Sequence, residues 1–326
     1  MITMFRGLGG IADNVTQKDG PFGRGLFPID PAKRVRLHLP RNLLVPLEDA
    51  AFENDRLIIR SAAEMAGPER AFFDNYQEAF SWNAEGRAAA FAYIKSLDDL
   101  PSDVRQLLSE KFSVAPLSAE GSLEDRAQRW FLDSRKMKLD GRYFLMPVIE
   151  LLNHAPHGVP FDVTDGIKVE GAFSGEAFAR YSIVDPFGMF QAYGFASPEQ
   201  MCFSFPMTHD KSAITINRDI DLNLKVGDFY IPEYTIETDR IVISCMMIGS
   251  AKFPRLSRGI FRHVLEQAGR SNADEVFDLI LHTNRTKLFH LLEILEPHEG
   301  GLIPVLRKMV RYQLEAMSHC IGARNL

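Results

Sequence analysis

Apolar residues follow two different periods along this chain. Between residues 20 and 46 they alternate with polar ones: Val35, Leu37 and Leu39 share one face of a half-buried strand that Pro40 stops, and Gly20-Pro-Phe-Gly-Arg-Gly25 supplies the residues of a tight turn. From about residue 52 to 130 the period becomes helical, with Ala88, Phe91, Ile94 and Leu97 on one apolar face and Val104, Leu107, Leu108 and Phe112 on another. Pro101 stands where a helix commonly begins. The dense aromatics Phe72, Phe73, Tyr76, Phe80 and Trp82 read as helix core against a neighbouring sheet rather than as a cofactor box. Strand-like patterns return at Val169, Ala177-Phe178 and Phe203-Ser-Phe205, and continue through Ile214-Thr-Ile216, Leu222-Asn-Leu224 and Ile241-Val-Ile243. Residues 256–322 then predict three or four amphipathic helices. Gly269 stops the first, Asn272-Ala-Asp-Glu275 opens the next as a capping box, and Leu288, Leu291, Leu292 and Leu295 form a third apolar face.

Composition narrows the classes without choosing among them. A chain of 326 residues buries a sizeable core and divides into more than one subdomain. Its 46% apolar and 25% charged content excludes a disordered or fibrous protein. A net charge of −6 without a sustained Lys/Arg block gives no footprint for direct nucleic-acid binding. The longest apolar stretches, such as Ile241 to Ile248, fall far short of the ~20 residues of a membrane span, so no membrane partner is expected. The start, Met1-Ile-Thr-Met-Phe-Arg-Gly, lacks the order of a secretory signal. Cys202, Cys245 and Cys320 are scattered and form no Cys-x-x-Cys pair, which points to reduced thiols and a cytoplasmic protein.

The chemistry-bearing residues lie in three segments: Arg142-Tyr-Phe-Leu-Met-Pro-Val-Ile-Glu-Leu-Leu-Asn-His154, then Ala179-Arg-Tyr181, then Gln191-Ala-Tyr-Gly-Phe195. Each is weak alone; their order and spacing together resemble the active-site core of a SET-domain protein methyltransferase. The absence of clustered cysteines and the helical C-terminal portion resemble the Rubisco large-subunit methyltransferase subgroup. The resemblance covers nearly the whole chain, although only the central portion is motif-specific. It implies an α+β fold: small β-sheets with a pseudoknot, a helical insertion and a C-terminal α-helical domain. In this reading residues 1–51 are the N-terminal part of the SET core, 52–130 the insertion, 131–206 the catalytic core with the pseudoknot, and 207–326 a mainly helical substrate-binding domain.

The resemblance also implies roles. S-adenosylmethionine is the expected cofactor and a protein the expected substrate. Gly23, Arg24 and Gly25 match the first donor-contacting motif, in which glycine lets backbone approach a ligand; alone, this Gly-x-Gly reads as a plain turn, and it lacks the third glycine of a dinucleotide fingerprint. Asn153 and His154 match the donor-binding pair, against the alternative of a strand end with a capping Asn and a surface His. Arg135 matches an arginine that meets the donor carboxylate, with a solvated surface arginine as its competitor. Tyr181 matches the catalytic tyrosine, Tyr193 an aromatic lining the acceptor channel, and Phe195 an aromatic packed on adenine.

The chain departs from the family pattern at several points. Ser182-Ile-Val-Asp-Pro186 is shorter by about one residue than the link in the plant enzymes, with Pro186 where Asn is frequent. Glu150 stands where Asp is common, and Phe22 precedes Gly23 where some members carry an acidic contact. His154 with His157, and His290 with His298, lack a third ligand in matching context, so no metal is expected. Two alternatives stay open: a non-catalytic SET-like module that binds a peptide or protein, and the same methyl transfer to histidine rather than lysine.

Overall fold

Inward-facing alternation organises the first of two compact units, residues 1–92 and 121–181. A computed structural model describes the chain except residues 62, 115–116, 118–119, 182–184, 219–230, 238–239 and 323–326, so Leu222-Asn-Leu224 and most of the Ser182–Pro186 link lie outside the described residues. Val35, Leu37 and Leu39 are buried and form the central strand of a three-stranded antiparallel sheet, where Leu37 faces Ala12 on one side and Val169 on the other. That sheet, with Phe5, Phe72, Tyr76, Ile149 and Leu152, makes one hydrophobic cluster. Gly20 and Gly23 close the hairpin of Val15–Gly20 with Gly23–Pro28; Gly23 leaves the turn at φ +86°, a conformation that costs a glycine nothing.

The helical pattern expected from residue 52 begins only at Gly67, with the helix Gly67–Phe80. Before it, Ala50–Glu53 and Arg56–Ile59 form a hairpin across Asn54 and Asp55, whose φ values of 48° and 62° are those of a tight primed turn that Asn and Asp tolerate. A second hairpin, Lys136–Leu139 with Arg142–Leu145, turns at Asp140-Gly141, also at positive φ. The next helix, Ala84–Asp98, buries Ala90, Ile94 and Leu97 but exposes Ala88, so its inward stripe is offset from the expected one. The helix Leu123–Asp133 opens with a capping box in which the Ser122 hydroxyl accepts from the Asp125 N–H at 3.1 Å and Asp125 accepts from the Ser122 N–H at 3.0 Å.

The second unit comprises residues 93–120 and 182–326. Met201–Phe203 pairs with Met247–Ser250, so the strand expected over Phe203–Phe205 ends at Phe203. Four short strands form a further sheet in which Ile214–Ile216 runs parallel to Ile241–Ile243. Three helices follow among the described residues, Leu256–Gln267, Ala273–Leu295 and Ile303–Gly322. Gly269 follows the end of the first of these helices at φ +69°, as expected, whereas Asn272 makes no side-chain cap bond, so the capping box expected there does not form. Met247–Ser250 lies so close to the last helix that a Cβ on Gly249 would sit 2.4 Å from the Ala316 carbonyl oxygen. The structure is thus α+β, with small sheets and a helical C-terminal region. Among the described residues no helix is long and apolar enough to cross a membrane.

Candidate active site

Asn153 begins the strand Asn153–Pro160, directly after the 3₁₀ turn Ile149–Leu151. The strand runs parallel to Phe178–Arg180, with Asn153 opposite Phe178 and His154 opposite Ala179. A register shift then brings Val159 opposite the same Ala179, so that one irregular strand engages this residue twice. Gly158 permits the approach, since a Cβ there would fall 2.5 Å from the Ala179 carbonyl carbon. The parallel pairing places two groups of expected site residues together, one around Asn153 and one around Tyr181.

In the first group, both hydrogens of the Asn153 amide are donated: one to the Arg24 carbonyl at 3.2 Å and one to Glu176 Oε1 at 2.5 Å. The hairpin backbone stands directly against this carboxylate, since a Cβ on Gly25 would lie 2.2 Å from that oxygen. The glycine hairpin is pinned to the segment carrying Glu176 by the Ala177 N–H, which donates to the Leu26 carbonyl at 2.7 Å. Arg24 contributes its carbonyl to this cluster, while its guanidinium turns away to the Phe80 carbonyl at 2.8 Å and to Glu85. Gly23 is at the hairpin tip, and a Cβ there would meet nothing within 4 Å.

In the second group, the Tyr181 hydroxyl donates to the Leu152 carbonyl at 2.6 Å, and the Tyr181 N–H donates to His154 Nδ1 at 3.2 Å. Accepting at Nδ1 requires the neutral imidazole to carry its proton on Nε2. The His154 and Tyr181 rings meet edge to face at 5.2 Å, and Phe161 stacks on Tyr181 at 6.5 Å. The tyrosine ring is thus held by aromatic contacts while its hydroxyl is fixed by a backbone acceptor one residue before Asn153.

Arg135 is engaged elsewhere in the same unit. Its guanidinium lies 3.8 Å over the Phe131 ring, donates to Ser134 Oγ at 2.9 Å, and stands 3.9 Å from the Glu150 carboxylate. Burial raises the Glu150 pKa above its ordinary value, and the Arg135 charge offsets only part of that. No hydrogen bond or ion pair joins Arg135 to Asn153, His154 or Tyr181 among the described residues.

Tyr193 and Phe195 belong to the second unit, at the end of the helix Pro186–Tyr193. Their rings stack at 6.0 Å. Gly194 between them is required twice over: it caps the helix at φ +78°, and a Cβ would fall 2.5 Å from the Tyr93 ring. Burial pushes the Tyr193 hydroxyl up to about 12, so it stays protonated across the physiological range. The helix begins at Asp185, whose carboxylate accepts from the Gly188 N–H at 2.8 Å.

Two groups in this arrangement are not visible to sequence reasoning. Leu152 acts through its carbonyl, which any residue would supply. Glu176 sits in Gly175-Glu-Ala-Phe178, where a charged residue before a short strand reads as solvated; its burial signal is the small-residue context of Gly20, Gly25 and Ala177 that closes around it. The histidines considered as metal ligands have other contacts: His298 Nε2 lies 3.1 Å from Asp103 and His290 Nδ1 3.7 Å from Glu293. Cys202, Cys245 and Cys320 are buried and unbridged.

No family model matches the sequence, and no curated protein matches it. Among solved structures the chain is similar to the crystal structure of the SET domain of LSMT bound to lysine and AdoHcy, at 12% identity and a TM-score of 0.43, over 99% of this chain and 89% of that one. It is similar also to Rubisco LSMT bound to sinefungin and monomethyllysine, at 12% identity and a TM-score of 0.42, over 99% of this chain and 90% of that one.

Proposed function

We propose that the chain is a SET-type protein N-methyltransferase that uses S-adenosylmethionine and acts on a lysine side chain of a protein substrate. The observation that carries this reading is the Tyr181 hydroxyl held at 2.6 Å on the Leu152 carbonyl, on the strand pairing that also fixes Asn153 and His154. Tyr181 is the catalytic residue, and Asn153, His154 and the Gly23-Arg24-Gly25 hairpin hold the donor.

The residues present fit the donor. The Asn153 amide, the Arg24 carbonyl and the buried Glu176 carboxylate present polar groups suited to its amino-acid end, and Glu176 Oε2 is buried without a hydrogen-bond partner. When bound, S-adenosylmethionine supplies an electrophilic methyl on a sulfonium that leaves readily. The task left to the protein is to align the acceptor, keep water out and receive a neutral amine.

Tyr181 meets the alignment requirement through its one proton. That proton is donated to the Leu152 carbonyl, so toward an amine the phenol oxygen acts only as an acceptor. It takes an N–H of a neutral amine and thereby turns the amine lone pair away from itself, toward the methyl. His154 fixes the backbone from which Tyr181 projects, because its Nδ1 accepts the Tyr181 N–H. The Phe161 ring beside Tyr181 is apolar and disfavours a charged acceptor by desolvation.

Calorimetric titration with S-adenosylhomocysteine tests the reading. Saturable binding is expected, weakened in Asn153→Ala and His154→Ala by about 1–3 kcal/mol as buried groups lose their partners. No heat of binding at millimolar ligand would remove the assignment.

A further inference from the structure

Glu176 is only 9% exposed, yet its carboxylate has one satisfied oxygen and one without any partner. Oε1 accepts from the Asn153 amide at 2.5 Å; Oε2 accepts from nothing, and no cation is paired with Glu176 among the described residues. A buried carboxylate left in that state is costly, and a positively charged hydrogen-bond donor is the group that relieves it. The surrounding side chains supply none. Arg24 sends its guanidinium to Phe80 and Glu85, and Lys18 directs its ammonium over the Phe27 ring at 5.9 Å.

The neighbouring polar atoms have the same character. The Asn153 amide nitrogen has spent both hydrogens, so only its oxygen is left to meet a ligand, and it meets one as an acceptor. Gly25 and Gly20 hold the backbone of the hairpin against this carboxylate: Cβ atoms there would stand 2.2 Å from Oε1 and 3.1 Å from Oε2. The result is a cluster of acceptors, one of them anionic, built into the hairpin that the donor is proposed to contact.

We infer that Glu176 is the counter-charge for the α-ammonium group of the methyl donor, receiving it on Oε2 while Oε1 holds the Asn153 amide in place. This rests on the proposed use of S-adenosylmethionine. Glu176 is accordingly a donor-binding residue that also positions Asn153, and it selects ligands whose amino-acid end keeps its ammonium.

A thermodynamic cycle tests the inference by pairing wild type and Glu176→Gln with S-adenosylhomocysteine and its deaminated analogue, in which hydrogen replaces the α-amino group. Glutamine keeps an acceptor for Asn153 and removes only the charge. Wild type is expected to bind the deaminated ligand roughly 10- to 100-fold more weakly, the range of a hydrogen bond to a charged group, and Glu176→Gln to show little preference between the two. Equal affinity of wild type for both ligands, or the same loss toward both in the variant, would overturn the inference and leave the donor assignment standing. Wild type binding neither ligand would take the donor assignment down with it. Glu176→Asp, which keeps the charge but withdraws it by one carbon, serves if the glutamine variant does not fold: a reduced preference supports the inference, and an unchanged one overturns it.

Discussion

Gln313 donates its side-chain amide to the Asp185 carboxylate at 2.6 Å across 128 residues of sequence. The same glutamine accepts the Phe187 N–H at 3.2 Å, so the last helix of the chain closes the start of the helix that leads to Tyr193 and Phe195. Asp185 is fully buried and fully satisfied: Oδ1 receives Gly188 N–H and Arg218, Oδ2 receives Phe203 N–H and Gln313. Arg218 in turn lies over the Phe187 and Phe205 rings at 5.0 and 5.3 Å.

Removing one member of that network strands the others. Asp185→Ala leaves the Arg218 charge buried without its carboxylate and is expected to cost about 3–5 kcal/mol, while Gln313→Leu, which strands the Phe187 N–H and removes one of the two donors to Asp185 Oδ2, is expected to cost about 1–3 kcal/mol. Urea denaturation of the two variants measures both; a loss near zero for Asp185→Ala would mean that the network is dispensable.

Tyr181→Phe removes the hydroxyl and keeps the ring between His154 and Phe161. Affinity for S-adenosylhomocysteine is expected to hold, while single-turnover methylation falls roughly 10²–10³-fold, the usual consequence of losing one positioned polar group at a reacting centre. An unchanged rate would remove Tyr181 from the mechanism.

Much of the fold was legible where one face of a strand or helix is buried. Val35, Leu37 and Leu39 alternate because their strand is central, and Leu288, Leu291 and Leu295 repeat because their helix packs on one side. The hairpin at Asn54-Asp55 is not legible, although the dipeptide is a turn former, because the apolar residues from about 52 onward also fit a helical period; the turn at Asp140-Gly141 is not read either. Tyr181, Asn153 and His154, singled out by the resemblance of their segments, lie together on one strand pairing. Glu176 and the Leu152 carbonyl were not legible, since burial of an acid and use of a main-chain oxygen leave no pattern in side-chain chemistry.

Glu150 gives stability a pH dependence of known sign. Burial raises its folded pKa above the ordinary 4.5, so the folded chain retains a proton that the unfolded chain has already released. The stability this contributes is present in acid and is lost as pH climbs from 4.5 toward the raised value. Glu150→Gln is therefore expected to gain stability relative to wild type between acid and neutral pH. Thermal unfolding of both proteins across that range checks it, and a gap that narrows as pH rises would contradict it.

The acceptor is distinguishable by its titration. A lysine amine with an ordinary pKa near ~10.4 must lose a proton before it attacks, whereas an imidazole near ~6.5 is already neutral at pH 7. Apolar walls and the sulfonium lower the bound lysine pKa, so single-turnover rates are expected to rise through the mildly alkaline range and then level off. A profile flat from about pH 7 upward, with chemistry rate-limiting, would place histidine ahead of lysine.

The most direct measurement is transfer of an isotopically labelled methyl group from S-adenosylmethionine to the proteins of a host-cell lysate, read by peptide mass spectrometry with wild type and Tyr181→Phe in parallel. The predicted result is labelled lysine in a small set of proteins with wild type, and its near disappearance with the variant. Donor binding without any labelled residue above the variant's background would contradict catalysis and leave a binding module in its place.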